Sequence, residues 1–174
     1  MLSRQEIEQH LKNPNVRKML GVIASAEGVK HGYNTMFGNE RLSDLSKHPG
    51  ILKEFTQTDG KKNKTSAAGR YQFLEPTWNG LAKQLGLKDF SPKSQDIAAV
   101  ALLAQNGALP HVLKGDIPTA VKKSGGTWAS LPSAPDSYKQ PKKTWSDIGM
   151  SGSTFDRVKG KREAQKQPTI ADVY

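Results

Sequence analysis

The sequence predicts an α+β protein in which a small, irregular β-containing lobe is set between helical segments. Three features predict it. Val16, Met19, Leu20 and Ile23 recur at helical spacing, so one helix face is buried. From residue 29 to residue 70, Gly, Asn, Asp and Pro are frequent and apolar positions scatter. Helical patterns then return and include a stretch that is apolar nearly all round, Ile97 to Leu103, the mark of a central buried helix.

The elements follow in order. Ser3-Arg4-Gln5-Glu6 fits a capping box, with Ser3 as N-cap and Glu6 reaching back, and a short polar helix runs to about Lys12. Asn13-Pro14 breaks it and starts the helix of Val16 to Ile23. Gly28 is its C-cap, which sets Glu27 at the C-terminal end of a core helix. Tyr33 to Phe37 is expected as a short strand, with Gly38-Asn39 as a turn. Thr56 to Lys64 (TQTDGKKNK) is polar and lysine-rich and reads as an exposed, mobile loop. Glu75-Pro76 opens a helix carrying Trp78, Leu81, Ala82 and Leu85, closed by Gly86; Trp78 lies on its apolar stripe and belongs to the core. Ser91-Pro92 opens the central helix by the N-cap and N1-proline rule, and Asn106-Gly107 ends it. Short helices are expected near Ala108 to Leu113 and Ile117 to Lys123, the second capped by Asp116. From Ser133 the pattern dissolves into Pro, Gly, Lys and Ser. The expected organisation is a folded domain over residues 1–132, with an N-terminal helical extension over residues 1–20. A basic Pro/Gly/Lys-rich C-terminal arm, extended or poorly ordered, would cover residues 133–174.

The 174 residues include no cysteine, which excludes disulfides and thiolate metal sites. His10, His31, His48 and His111 are scattered without ligand spacing. No metal or cofactor is expected, and no zinc amidase or peptidase. The start, MLSRQEIEQHLKNPNVRKML, has no long apolar run, so neither a secretory signal nor a membrane anchor is expected. The product is then made in the cytoplasm, and a target outside it is reached by some other route. The net charge of +10 and pI near 9.8 draw the chain to polyanions: nucleic acid, an anionic membrane surface or an acidic wall polymer. The charge does not choose among these, and serves solubility equally well.

Glycoside cleavage needs a proton donor at the bridging oxygen, and a glutamic acid serves at neutral pH only if its pKa is raised. Glu27 has three features of that kind. It follows an apolar helix (GVIASA), and dry surroundings disfavour the anion. The negative end of the helix dipole disfavours it further. Ala24, Ser25, Ala26 and Gly28 are small and would let a bulky polymer approach. Position alone favours a solvated helix-end glutamate, the commonest fate of a Glu.

An ordered set of short motifs separates the two. Ser25-Ala26-Glu27-Gly28, His31-Gly32-Tyr33-Asn34 and Ala67-Ala68-Gly69-Arg70-Tyr71-Gln72-Phe73 come first. The run KQLGLKDFSPKSQD from Lys83 to Asp96 follows, then Gly107-Ala108-Leu109-Pro110, Gly115-Asp116-Ile117 and Trp128-Ala129-Ser130-Leu131-Pro132. From Ile23 to Pro132 the chain resembles the lambda-type phage endolysins, lysozyme-like lytic transglycosylases. The resemblance implies a lysozyme-like α+β fold with a glycan-binding cleft between a small β lobe and a larger helical lobe. It implies that Glu27 protonates the oxygen between N-acetylmuramic acid and N-acetylglucosamine. Glu27 then takes the proton of the muramic acid 6-hydroxyl as that attacks the anomeric carbon. The product is a 1,6-anhydro sugar.

The matched positions supply the supporting residues. Tyr71 and Gln72 fall in the element that resembles a sugar-contacting strand, though Tyr71 fits a core aromatic equally well. His31 is structural or cleft-lining, and Tyr33, in the same matched element, is expected among the substrate-binding residues. Trp128 lines the cleft or belongs to the core. Asp44 is a structural cap, or else a catalytic or substrate residue if the reaction is a hydrolysis with a second carboxylate; Glu40, Glu54 and Asp59 lie in the same half. Only Val29 and Lys30 separate Glu27-Gly28 from His31, where the family carries a longer insertion on one lip of the cleft.

The function expected is that of a monomeric endolysin acting on peptidoglycan for host lysis. It would be made in the host cytoplasm and released to the wall through a separate membrane pore. Alternatives are a hydrolytic muramidase and a virion-associated entry lysin. From another class comes a basic nucleic-acid-binding or wall-binding protein without activity, but no helix-turn-helix, zinc finger or RNP-like strand supports specific nucleic-acid binding. Lys61, Lys62, Lys64, Lys139, Lys142, Lys143, Lys159, Lys161 and Arg162 would meet anionic wall or outer-membrane polymers.

Overall fold

A computed structural model describes residues 2–151 and 154–155 of the chain. Helix α1 (Arg4–His10) begins in the capping box: Ser3 Oγ accepts the Glu6 N–H at 3.1 Å, and the Glu6 carboxylate accepts the Ser3 N–H at 3.3 Å. Helix α2 (Pro14–Glu27) starts at Asn13, whose Oδ1 accepts the Asn15 N–H. It ends where Gly28 turns to φ 66° and donates to the carbonyls of Ala24 and Ser25. Val16, Met19, Leu20 and Ile23 are all fully buried, as their spacing requires.

The β lobe departs from expectation in two places. Residues Gly32–Asn34 form a 3₁₀ turn, so strand β1 is only Thr35–Met36, paired antiparallel with β2 (Glu40–Arg41) around the Gly38-Asn39 turn. The expected mobile loop is instead part of a hairpin. Strand β3 (Lys53–Thr56) pairs with β4 (Lys62–Thr65), in the register Lys53↔Thr65 to Thr56↔Lys62. The physical reason lies in the turn and in one face. Asp59 Oδ1 accepts the Lys61 N–H, Gly60 supplies φ 86°, and Phe55 gives the exposed ribbon an apolar side. Lysines in β4 mask this, because their strand propensity is low.

A loop over residues 66–73 ties this lobe to the helices. Ala68 bridges to both Met36 and Phe73. Gly69 has φ 87°, and a Cβ there would stand 2.5 Å from Gln95 Oε1 and 2.8 Å from Phe90 Cζ. Only glycine fits both the backbone and the space. Helices α3 (Glu75–Leu85), α4 (Pro92–Gln105), α5 (Leu109–Leu113) and α6 (Ile117–Ser124) follow, with Ser91 and Asp116 capping α4 and α6. Helix α4 is the centre: Ile97 to Leu103 are all buried, and it packs against α1, α2, α3 and α5. Ile7 of α1 is fully buried, so the N-terminal helix is part of this body. Among the described residues no helix is long and apolar enough to cross a membrane.

The expected division at residue 132 is corrected by the packing. Ala134, Ile148 and Met150 are buried, and the Lys143 N–H donates to the Ser130 carbonyl at 2.7 Å. A 3₁₀ turn (Asp136–Tyr138) and a strand pair, β5 (Met150–Ser151) with β6 (Thr154–Phe155), continue the fold beside α6. The Thr58 N–H of the β3–β4 turn donates to the Lys139 carbonyl at 2.8 Å, so this segment reaches across to the β lobe. Single apolar residues dropped into irregular backbone leave no periodic signal, which is why the segment reads as a tail. The rest of the expected arm, residues 152–153 and 156–174, lies outside the described residues.

Candidate active site

A cleft of about 430 Å³ opens where the β lobe, the end of α2 and the C-terminal segment meet. Helix α2 delivers Ala26 and Glu27 to it. Phe37 and Asn39 come from the β1–β2 turn, and Phe55, Thr56 and Thr65 from the hairpin. The opposite wall is Thr127 to Ser130, and Gln140, Pro141 and Lys143 complete it. The rings of Phe37 and Phe55 are half-buried with centroids 5.5 Å apart, an apolar platform on the β side.

Glu27 is half-buried, and burial pushes its carboxyl from 4.5 to about 7, against a hydrogen-bonding influence from Ser130 and the positive charge of Lys143. No basic residue stands in the last turn of α2 to oppose this. Among the described residues lining the cleft, Glu27 is the one carboxyl and Lys143 the one cation. The carboxylates of the β half are engaged elsewhere. Glu40 pairs with Lys53, Glu54 lies 3.7 Å from Lys62, and Asp59 holds the Lys61 N–H. Asp44 is exposed and closes an Asx turn on the Ser46 N–H at 2.8 Å; hydrogen bonds from Ser46 hold its carboxyl below the usual range. It does not line the cleft.

The other sequence-predicted residues divide. Gln72 lines the cleft, held at φ 50° with its Nε2 donating to the Gly69 and Thr35 carbonyls, so Oε1 is the atom it presents. Trp128 is 3% exposed; its indole N–H donates to the Tyr71 carbonyl, while one side of the residue faces the cleft. Tyr71 does not reach the cleft. It is fully buried, and its hydroxyl donates to Asp96. Tyr33 donates to the same carboxylate at 3.0 Å and stacks edge-on against Tyr71, its own hydroxyl pushed up to about 12 by burial and by Asp96. A sugar-contacting role for either tyrosine is corrected by this: both serve the buried Arg17–Asp96 ion pair, 2.6 Å long, that fastens α2 to α4. His31 is exposed and outside the cleft lining; its backbone N–H donates to Thr35 Oγ1. Phe37, Phe55 and Gln140, and Lys143 as a cleft residue, were not legible, because none sits in a recognisable motif; Ser130 lies within Trp128-Ala129-Ser130, but nothing in that motif marks its side chain as facing the cleft. Among the described residues no cluster of His, Cys, Asp or Glu could hold a metal ion.

A central buried helix, a small hairpin lobe and a cleft with one half-buried carboxyl between them define a lysozyme-like protein. The fold is that of bacteriophage lambda lysozyme, solved in complex with a chitohexasaccharide. The TM-score is 0.70 at 38% identity, over 87% of this chain and 94% of that one. The chain belongs to the endolysin family, whose family model matches residues 17–155. It is 43% identical to the endolysin of Escherichia phage lambda over 69% of this chain and 79% of that protein. To the endolysin of Escherichia phage P2 it is 34% identical, over 69% and 81%.

Proposed function

We propose that the chain cuts peptidoglycan glycan strands between N-acetylmuramic acid and N-acetylglucosamine as a lytic transglycosylase, with Glu27 as its single acid and base. The observation that carries this reading is the makeup of the cleft: one carboxyl, poised near neutrality, and no second carboxylate among the described lining residues. A pKa of about 7 suits a group that must give a proton and then take one. Protonated Glu27 gives its proton to the bridging oxygen, and the N-acetylglucosamine leaves with its 4-hydroxyl restored. The muramic acid 6-hydroxyl bonds to the anomeric carbon and passes its proton to the Glu27 carboxylate. The acid is regenerated, and no water is consumed. A hydrolase would place a second carboxylate across the cleft to activate water or trap the sugar.

The remaining lining residues fit a glycan. Phe37 and Phe55 offer apolar faces to pyranose rings, and Gln72 Oε1 offers an acceptor to an N-acetyl N–H. The enzyme works as a monomer, made in the host cytoplasm and reaching the wall through a separate membrane pore. Exposed Lys61, Lys62 and Lys64 approach anionic wall polymer by charge.

Replacing Glu27 with Gln keeps size and hydrogen bonding but removes the proton. Turbidity clearance of purified walls should fall roughly 10²–10⁴-fold. Binding of a chitooligosaccharide, followed by calorimetry, should persist. Full activity in the Gln variant would remove Glu27 from the reaction.

A further inference from the structure

Ser130 Oγ is buried and, among the described residues, is the one buried side-chain polar atom that makes no hydrogen bond of full geometry, although its hydroxyl stands near enough to Glu27 to favour the carboxylate. Leaving a hydroxyl so is costly, and such an orphan calls for a reason. The surrounding backbone is held in place. The Ser130 carbonyl accepts the Lys143 N–H at 2.7 Å, the Leu131 N–H donates to Trp128, and the Trp128 indole is tied to Tyr71 at 3.0 Å. Nearby serines satisfy themselves on carbonyls: Ser124 Oγ donates to Ala120 and Ser133 Oγ to Val121. Ser130 instead stands in the cleft wall with Glu27.

We infer that Ser130 is a positioning residue for Glu27: its hydroxyl donates to the carboxylate that forms once the proton has passed to the leaving sugar. The inference deepens the transglycosylase reading and rests on it. With a glycan in the cleft, water is displaced from the carboxylate, and the anion must wait in place for the 6-hydroxyl proton. A neutral acid makes little use of a second donor; a carboxylate does. Ser130 and Lys143 are the groups that favour the anion against burial. No other described cleft-lining residue is charged, so the two act without competition.

The test compares Ser130→Ala and Ser130→Thr with the parent on purified peptidoglycan, measuring kcat, KM and the pH dependence of kcat/KM. Without the hydroxyl, the alkaline limb should move up by about one pH unit. The same variant should lose roughly tenfold in kcat with KM nearly unchanged, and Thr should restore both. Should the Ala variant not fold, Ser130→Cys, a weak donor of similar size, carries the same expectation. A carbon NMR titration of the Glu27 carboxyl reads the shift without turnover. An unmoved limb and titration, with or without lower activity, would overturn the inference. If Glu27→Gln were fully active, the catalytic reading itself would fail; if Glu27→Gln were inactive and Ser130→Ala unchanged, only the role of Ser130 would fail.

Discussion

Glu27 and Lys143 share the cleft as its carboxyl and its cation among the described lining residues. The lysine lowers the Glu27 pKa, so its removal has a direction. Lys143→Met should raise that pKa and carry the alkaline limb of kcat/KM to higher pH, by less than one unit because the side chain is exposed and screened. A limb that moves down, or that stays fixed in low salt, would separate Lys143 from the carboxyl. The place of Glu27 at the end of a core helix was legible because an apolar run and a C-cap glycine are local signals, whereas the role proposed for it came from the ordered motifs. The places of the tyrosines were not legible. Tyr33 and Tyr71 sit in motifs that suggest sugar contact, yet both hydroxyls serve Asp96, 63 and 25 residues further along. A buried carboxylate that distant leaves no mark near the tyrosines.

At the scale of elements, the caps carried the reading. Ser3, Asn13, Ser91 and Asp116 each accept a backbone N–H at the expected helix start. The hairpin β3–β4 and the segment from residue 133 to 151 escaped it, because their order comes from partners elsewhere: Lys139 for the hairpin turn, Ser130 for the segment. What joins the elements is equally non-local. Arg17 on α2 meets Asp96 on α4 in the core, with side chains 8% and 0% exposed. Breaking such a pair from one side strands a buried charge. Arg17→Met should cost about 3–5 kcal/mol in urea unfolding, and adding Asp96→Asn should return part of it. A loss below about 1 kcal/mol would mean that Asp96 is held without Arg17.

For the whole molecule, the α+β architecture was readable from the periodicity, and the lysozyme-like fold from the ordered motifs; the cleft's composition was not, since it gathers residues from 26 to 143. The site also leaves a mark on global stability. The folded Glu27 pKa of about 7 lies above its ordinary 4.5, so the native state keeps a proton that the unfolded chain releases. Its favourable contribution is complete below pH 4.5 and is lost as pH rises through about 7. Glu27→Gln should therefore match the parent near pH 4 and exceed it at pH 8, by up to about 3 kcal/mol. Thermal unfolding at the two pH values checks this, and equal stabilities at pH 8 would contradict the buried acid.

The central claim is that one carboxyl suffices because the sugar supplies its own nucleophile. Mass spectrometry of the muropeptides released from purified peptidoglycan tests it most directly. The account predicts products one water lighter than hydrolysis would give, with 1,6-anhydromuramic acid ends. Reducing muramic acid ends would contradict it, and would require a group in the cleft that activates water.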